Sequence, residues 1–229
     1  MRKTWVIAHK EMQHGMNTLM LYVFAIAMLV SVSYTVFWSF APTNVFLNKS
    51  ADVRPMMSLF PYIFMVFVPA IAMRCWSEER RLGTLELLLS YPFSARHLVL
   101  GKFIGQLIPI WLTLTCTLIV PLLIDQIGDP DWGPVWGGYA GALFLSAACL
   151  AISMCIGSLT QHQIAAFIAS FACLAFLCLF FVSEGNLQWR FSSIARGLID
   201  TRDLVYFAVI TCGFLALNIR IIDSQFWRS

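Results

Sequence analysis

The sequence is poor in charge. Asp, Glu, Lys and Arg make up 12% of its 229 residues, while 59% are hydrophobic, against about 25% and 45–50% in an ordinary soluble domain. That scarcity excludes a sizeable soluble domain. The chain also lacks a phosphate-binding loop. Its one Gly-Lys pair, Gly101-Lys102, has Arg96 where the leading glycine would stand and Phe103 in place of Ser or Thr, so nucleotide binding by that route is excluded. Seven cysteines lie in or beside apolar runs with no CxxC spacing and read as small packing residues, not disulfides or metal ligands. His9, His14, His97 and His162 pair neither with one another nor with a cysteine at ligand spacing. No charge falls at the middle of an apolar run, which argues against a proton-coupled carrier.

What is present is long apolar runs. A spanning helix needs about 20 mostly apolar residues, and six such spans are predicted, at 18–40, 56–74, 103–124, 134–158, 164–182 and 204–222. The chain thus reads as a single all-α membrane domain over 1–229. The first run starts near Leu19 and has no small-residue cleavage site, so no cleaved signal is expected. With the N-terminus inside, the inner segments hold Arg2, Lys3, Lys10, Arg74, Arg80, Arg81, Arg96, Lys102, Arg220 and Arg228. The outer ones hold only Lys49, Arg54, Arg190, Arg196 and Arg202. That bias places both termini in the cytoplasm, and Trp132 and Trp136 would mark the outer interface.

Three segments outside the spans carry a pattern. In residues 2–17, Trp5, Ala8, Met12 and Met16 share one helical face opposite Lys3, Lys10, His14 and Asn17. This fits a helix lying in the headgroup layer, or a basic flank that only sets topology. In 183–203, apolar residues at 191, 194, 198 and 199 fit a short amphipathic or re-entrant helix before the last span, or a loop with a buried edge. The third, "RCWSEERRLGTLELLLSYP" at 74–92, sets four charges before a glycine and a leucine run too short to cross a bilayer. A charged turn would account for Arg80 and Arg81 but not for the dozen residues that follow; Leu82, Leu85 and Leu89 share a face flanked by Glu78 and Glu86, which suits docking of a second protein. Within the spans, Gly101 with Gly105, and Gly137 with Gly141, form small-xxx-small faces for close helix packing. Pro61, Pro69, Pro109 and Pro121 are expected to kink their helices.

The pattern "SEERRLGTLELLLSYPFS" resembles the loop between the second and third spans of the ABC-2-type exporter permeases, where it forms the coupling helix that fits a cleft of the ATPase subunit. "AHKEM" at 8–12 resembles that family's N-terminal interfacial helix, with Trp5, Lys10 and Glu11, and "VLGKF" at 99–103 the start of its third span. "GDPDWGPVWGGYAG", "SLTQHQIAAFI" and "RGLIDTRDLVYF" are similar to the gliding-motility-type, GldF-like branch, close to the permeases of nitrous-oxide reductase maturation. "MQHGMNTLM" lacks the Ser-Pro that often precedes the first span in that branch.

The resemblance implies a non-enzymatic membrane subunit of a bacterial inner-membrane ABC transporter, coupled to export or to conformational work. It implies two copies of an ATPase subunit carrying ATP and Mg, with no cofactor on this chain. A second permease copy, identical or not, and an auxiliary subunit with a periplasmic domain are further implied partners, together with membrane lipid and without nucleic acid. Residues 76–94 would be the coupling segment, with Glu78, Glu79, Arg80, Arg81, Gly83, Thr84 and Glu86 as its transmission surface. Thr160, Gln161 and Gln163 would form a second cytoplasmic contact. An anchor that merely tethers a cytosolic partner is the alternative. The apolar spans, with 19 Phe, suit an apolar cargo path and a lipid-facing surface equally well.

Overall fold

A computed structural model describes residues 2–38, 53–81, 83, 94–126, 128, 130–180, 186–197 and 200–226. Every regular element among them is helical: α1 (Arg2–Met16), α2 (Leu19–Ser33, continued by a π-helical turn Tyr34–Trp38), α3 (Arg54–Met57), α4 (Phe60–Ala72), α5 (Arg74–Arg81), α6 (Ala95–Cys116), α7 (Ile119–Asp125), α8 (Trp132–Gly157), α9 (Gln163–Ala175, continued by a π-helical turn Phe176–Phe180), α10 (Leu187–Ala195) and α11 (Thr201–Phe226). Five helical stretches are long and apolar enough to cross a membrane: Leu19–Trp38, Arg54–Arg80, Ala95–Asp125, Trp132–Gly157 and Thr201–Ser224. The run expected at 164–182 appears as the shorter apolar helix Gln163–Leu179, and its last two residues lie outside the described ones.

Proline positions explain where the longer stretches break. Pro61 has no N–H for the carbonyl of Met57, and the chain turns at Ser58–Leu59 between α3 and α4. Pro121 withholds the same bond from Thr117, and α6 gives way to α7 at Thr117–Leu118. The Thr117 hydroxyl donates back to the Leu114 carbonyl at 2.7 Å and lies 2.8 Å from the Tyr139 hydroxyl, so the break is held against α8. Pro69 and Pro109, by contrast, sit inside continuous helices. Of the four expected kinks, two are breaks in the helix.

The core is built around α8. Asp131 caps its start, accepting from Gly133 N–H at 3.0 Å. The helix touches α4, α5, α6, α9, α10 and α11. Of its most apolar window 78% is buried, against 22% for the last span and 28% for the first, so those two present most of their surface outward. The Trp111 indole donates to Ser146 at 3.2 Å, and with the Thr117–Tyr139 contact this sets α6 antiparallel to α8.

Small residues set the closest approaches, all within the chain. A Cβ on Gly137 would lie 2.9 Å from the Ile194 carbonyl oxygen, and one on Gly141 3.1 Å from the Ile194 side chain, so α10 docks on this stripe. Gly101 and Gly105 receive α1 in the same way. A Cβ on Gly101 would lie 2.7 Å from Ile7, and one on Gly105 2.6 Å from the Glu11 Cβ and 2.8 Å from the Ala8 carbonyl oxygen.

Because Ile7 meets Gly101, Ala8 and Glu11 meet Gly105, and Gly15 faces Pro109, α1 runs parallel to α6. The stripe packed on α6 runs through Thr4, Ile7, Ala8 and Glu11, while Trp5 (64% exposed) and Met16 point away from the chain's own core. The 31 residues of α6–α7 extend about 46 Å at 1.5 Å per residue, against a hydrocarbon core of about 30 Å. The stretch is thus longer than a bilayer core, and α1 packs along 101–109 of it.

Candidate functional site

The Gly157 end of the bundle gathers the charges that the sequence had assigned to separate loops. Lys102 is the centre. Its side chain is 2% exposed, and its ammonium lies 2.8 Å from Glu11 Oε1 on α1, 2.6 Å from Glu79 Oε1 on α5, and 3.1 Å from the Cys75 carbonyl oxygen. These acceptors use all three ammonium protons. The same ammonium sits 5.3 Å from the ring centre of Trp76, which is itself fully buried.

Taking such charges from water costs several kcal/mol per ion. The burial is tolerable only because every ammonium proton is satisfied and three elements converge. The glycines make the convergence possible, since Gly101 and Gly105 bring α1 close enough for Glu11 to reach Lys102.

Arg80 makes the second tie. It donates from Nη1 to the Thr160 carbonyl at 3.3 Å and from Nη2 to the Ser158 carbonyl, joining α5 to the turn between α8 and α9. Of the two segments expected to face a partner, the described part of the first, through Arg80, is therefore a neighbour of the second at Thr160. Gln161 is exposed and Gln163 half-buried, while the Thr160 hydroxyl is buried.

The expected transmission surface divides. Glu79 points inward to Lys102, and Arg80 reaches into the chain's own carbonyls. Glu78 stays exposed, 3.7 Å from His14 on α1. Gly83 adopts φ +66°, with its N–H donating to the Arg80 carbonyl at 3.2 Å. It ends α5 in the left-handed conformation that glycine adopts without steric cost. The second span thus continues, past a single-residue turn at Met73, straight into the charged segment. Thr84, Glu86, the side chain of Arg81 and the leucine face at 82, 85 and 89 lie outside the described residues. Lys10 is exposed on α1.

Lys102 is the residue that sequence reasoning missed. A lysine just before an apolar run reads as a topology anchor, and it was counted as one. The available signal was its setting, Gly101-Lys102 followed by Gly105-Gln106, which puts two polar side chains beside a small-residue face. No group of three metal-ligating side chains occurs among the described residues.

A cavity of about 310 Å³ opens beside the cluster between α1, α2, α4–α5 and α6. Lys10, His14, Arg74 and Glu78 line it together with Glu11, Glu79, Lys102 and Gln106, and Met20, Leu21, Ala70 and Ile71 form its apolar wall.

Residues 5–185 match the family model described as "ABC-2 family transporter protein". The chain belongs to the ABC-2 family. It is also similar to the probable ABC transporter permease protein NosY of Pseudomonas aeruginosa, 28% identical over 203 residues, covering 81% of this chain and 74% of that protein. It is therefore a multi-pass membrane protein and an ABC transporter permease subunit, in a family whose ATPase site is carried by a separate subunit. The ABC-2 match runs from Trp5 within α1 through α9 and includes every residue of the Lys102 cluster.

Proposed function

We propose that this permease subunit takes up the motion of two ATPase subunits at its Gly157 end and passes it into the bundle as export or conformational work across a bacterial inner membrane. Both termini and residues 76–94 face the cytoplasm, in keeping with the Lys/Arg bias of the sequence. A second permease copy completes the unit, and a subunit with a periplasmic domain is a further partner.

One observation carries this reading: Lys102 joins α1, α5 and the base of α6 in one buried ionic cluster. A load applied to the residues after Gly83 enters α5, which is continuous with the second span and tied by Lys102 to the third and by Arg80 to the α8–α9 turn. Glu79 and Arg80 thus serve as positioning residues. Glu78, Gly83 and the segment through Thr84 and Glu86 are the contact surface, with Gln161 and Gln163 beside it. Charges on that surface set register and orientation more than affinity.

Glu86→Lys is the direct test. Membrane insertion should stay normal, and ATP hydrolysis by the purified complex should lose its coupled component. Unchanged coupled hydrolysis in that variant would refute the assignment.

A further inference from the structure

Two permanent cations stand at the mouth of the cavity beside the Lys102 cluster. Lys10 on α1 and Arg74 at the start of α5 are exposed and line it, and neither makes an ion pair with a described residue. Lys10 acts on Glu79 only through space. Glu78, the one exposed carboxylate of the lining, faces His14 at 3.7 Å. Deeper in, Glu11 and Glu79 are engaged by Lys102. The mouth thus sets two cations against one carboxylate.

The surface of the cavity is mainly apolar. Met20 and Leu21 open the first span, and Ala70 and Ile71 close α4 in the second, so the cavity lies where two spans meet their charged flanks. This is the level of lipid headgroups, where Lys and Arg attract acidic lipid. Positive charge beside an apolar wall matches an anionic amphiphile. At about 310 Å³ the cavity is at the small end of the roughly 300–1,000 Å³ range of ligand sites: room for a phosphate and its glycerol, with the acyl chains left along the helices.

We propose that this cavity binds an anionic phospholipid of the phosphatidylglycerol type, its phosphodiester between Lys10 and Arg74 and its glycerol backbone against the apolar wall. One net positive charge at the mouth complements one net negative charge on the lipid. A zwitterionic lipid offers the same phosphate but brings its own ammonium beside Lys10 and Arg74. A soluble phosphate has nothing to set against Met20, Leu21, Ala70 and Ile71. This assignment does not depend on ATPase coupling.

The test uses the full-length chain, purified and delipidated in mild detergent, then offered equal amounts of phosphatidylglycerol, phosphatidylethanolamine and phosphatidylcholine, with retention read by native mass spectrometry. Phosphatidylglycerol should be retained about fivefold over either zwitterionic lipid, the effect of one net charge at a membrane surface, and the ratio should shrink as salt is raised. Lys10→Gln and Arg74→Gln, at exposed positions where folding is not at stake, should each bring that ratio to about one. Glu78→Gln should raise it severalfold. Arg220→Gln, exposed on the last span and outside the cavity, should leave it unchanged. Free glycerol 1-phosphate should not displace the bound lipid. Equal retention of the three lipids by the unaltered chain, a loss of preference in Arg220→Gln as large as in Arg74→Gln, or displacement by glycerol 1-phosphate would each overturn the proposal.

Discussion

The two ends of α8 each hold a short helix by ionic contact, and they do so differently. At the Trp132 end, α10 is tied to α11 through Arg190 Nη1 and Asp203 Oδ1 at 2.8 Å, with the arginine side chain 20% exposed and flanked by Trp189 and Tyr206 at 5.6 and 5.4 Å. Asn186 caps that helix, accepting from Gln188 N–H at 2.8 Å, and the Gln188 amide donates to the Tyr62 hydroxyl. At the Gly157 end, Lys102 is 2% exposed and binds two helices at once. The first end is a clamp between two consecutive elements. The second joins segments about 90 residues apart in sequence, which is the wiring expected where motion enters the bundle.

Removing the cation should break the Gly157 end most severely. Lys102→Met leaves Glu11 and Glu79 buried against each other, and stability should fall by about 3–5 kcal/mol, read as thermal unfolding in detergent. Adding Glu11→Gln and Glu79→Gln should recover most of that loss, because a buried ion cluster often does little better than a neutral replacement of similar volume.

Gly105→Val comes next. Its first side-chain atom meets the Ala8 carbonyl, a backbone group that no rotamer change can move. About 1–3 kcal/mol should be lost, with α1 becoming sensitive to protease while the spans stay protected. At the Trp132 end, Arg190→Met should cost about 1–3 kcal/mol for the stranded Asp203 carboxylate and leave ATP coupling intact. If it abolished coupling, the functional contrast between the two ends would be lost. The smallest effect belongs to Gly83→Ala, where the added methyl meets nothing within 4 Å and only the left-handed backbone is penalised, by about 1–2 kcal/mol.

Hydropathy made the spans readable, because a run of about 20 apolar residues has few alternatives in a bilayer. The spacing of Phe191 and Ile194 likewise marks α10, and the small-residue faces marked real close approaches. The inward face of α1 was hidden for a physical reason. Apolar periodicity assigns the buried side to the most hydrophobic residues, yet Trp5 lies outward and the buried stripe carries Glu11, whose charge is satisfied by a lysine 91 positions away. No local pattern encodes such a pair. Lys102 was misread for the same cause, since flanking lysines usually remain in water. Glu79 and Arg80 looked alike in a run of four charges, and only the helical phase of α5, set by continuity with α4, turns them inward while Glu78 stays exposed.

The most direct measurement compares the ATPase complex carrying the unaltered chain with one carrying the neutral cluster Glu11→Gln, Glu79→Gln and Lys102→Met, once unfolding shows the two to be equally stable. Basal hydrolysis should persist in the neutral cluster, and the coupled component should drop by about tenfold or more, equivalent to at least 1.4 kcal/mol. Full coupled hydrolysis with the ionic cluster gone would contradict the claim that Lys102 joins α1, α5 and α6 into the element that takes up the load.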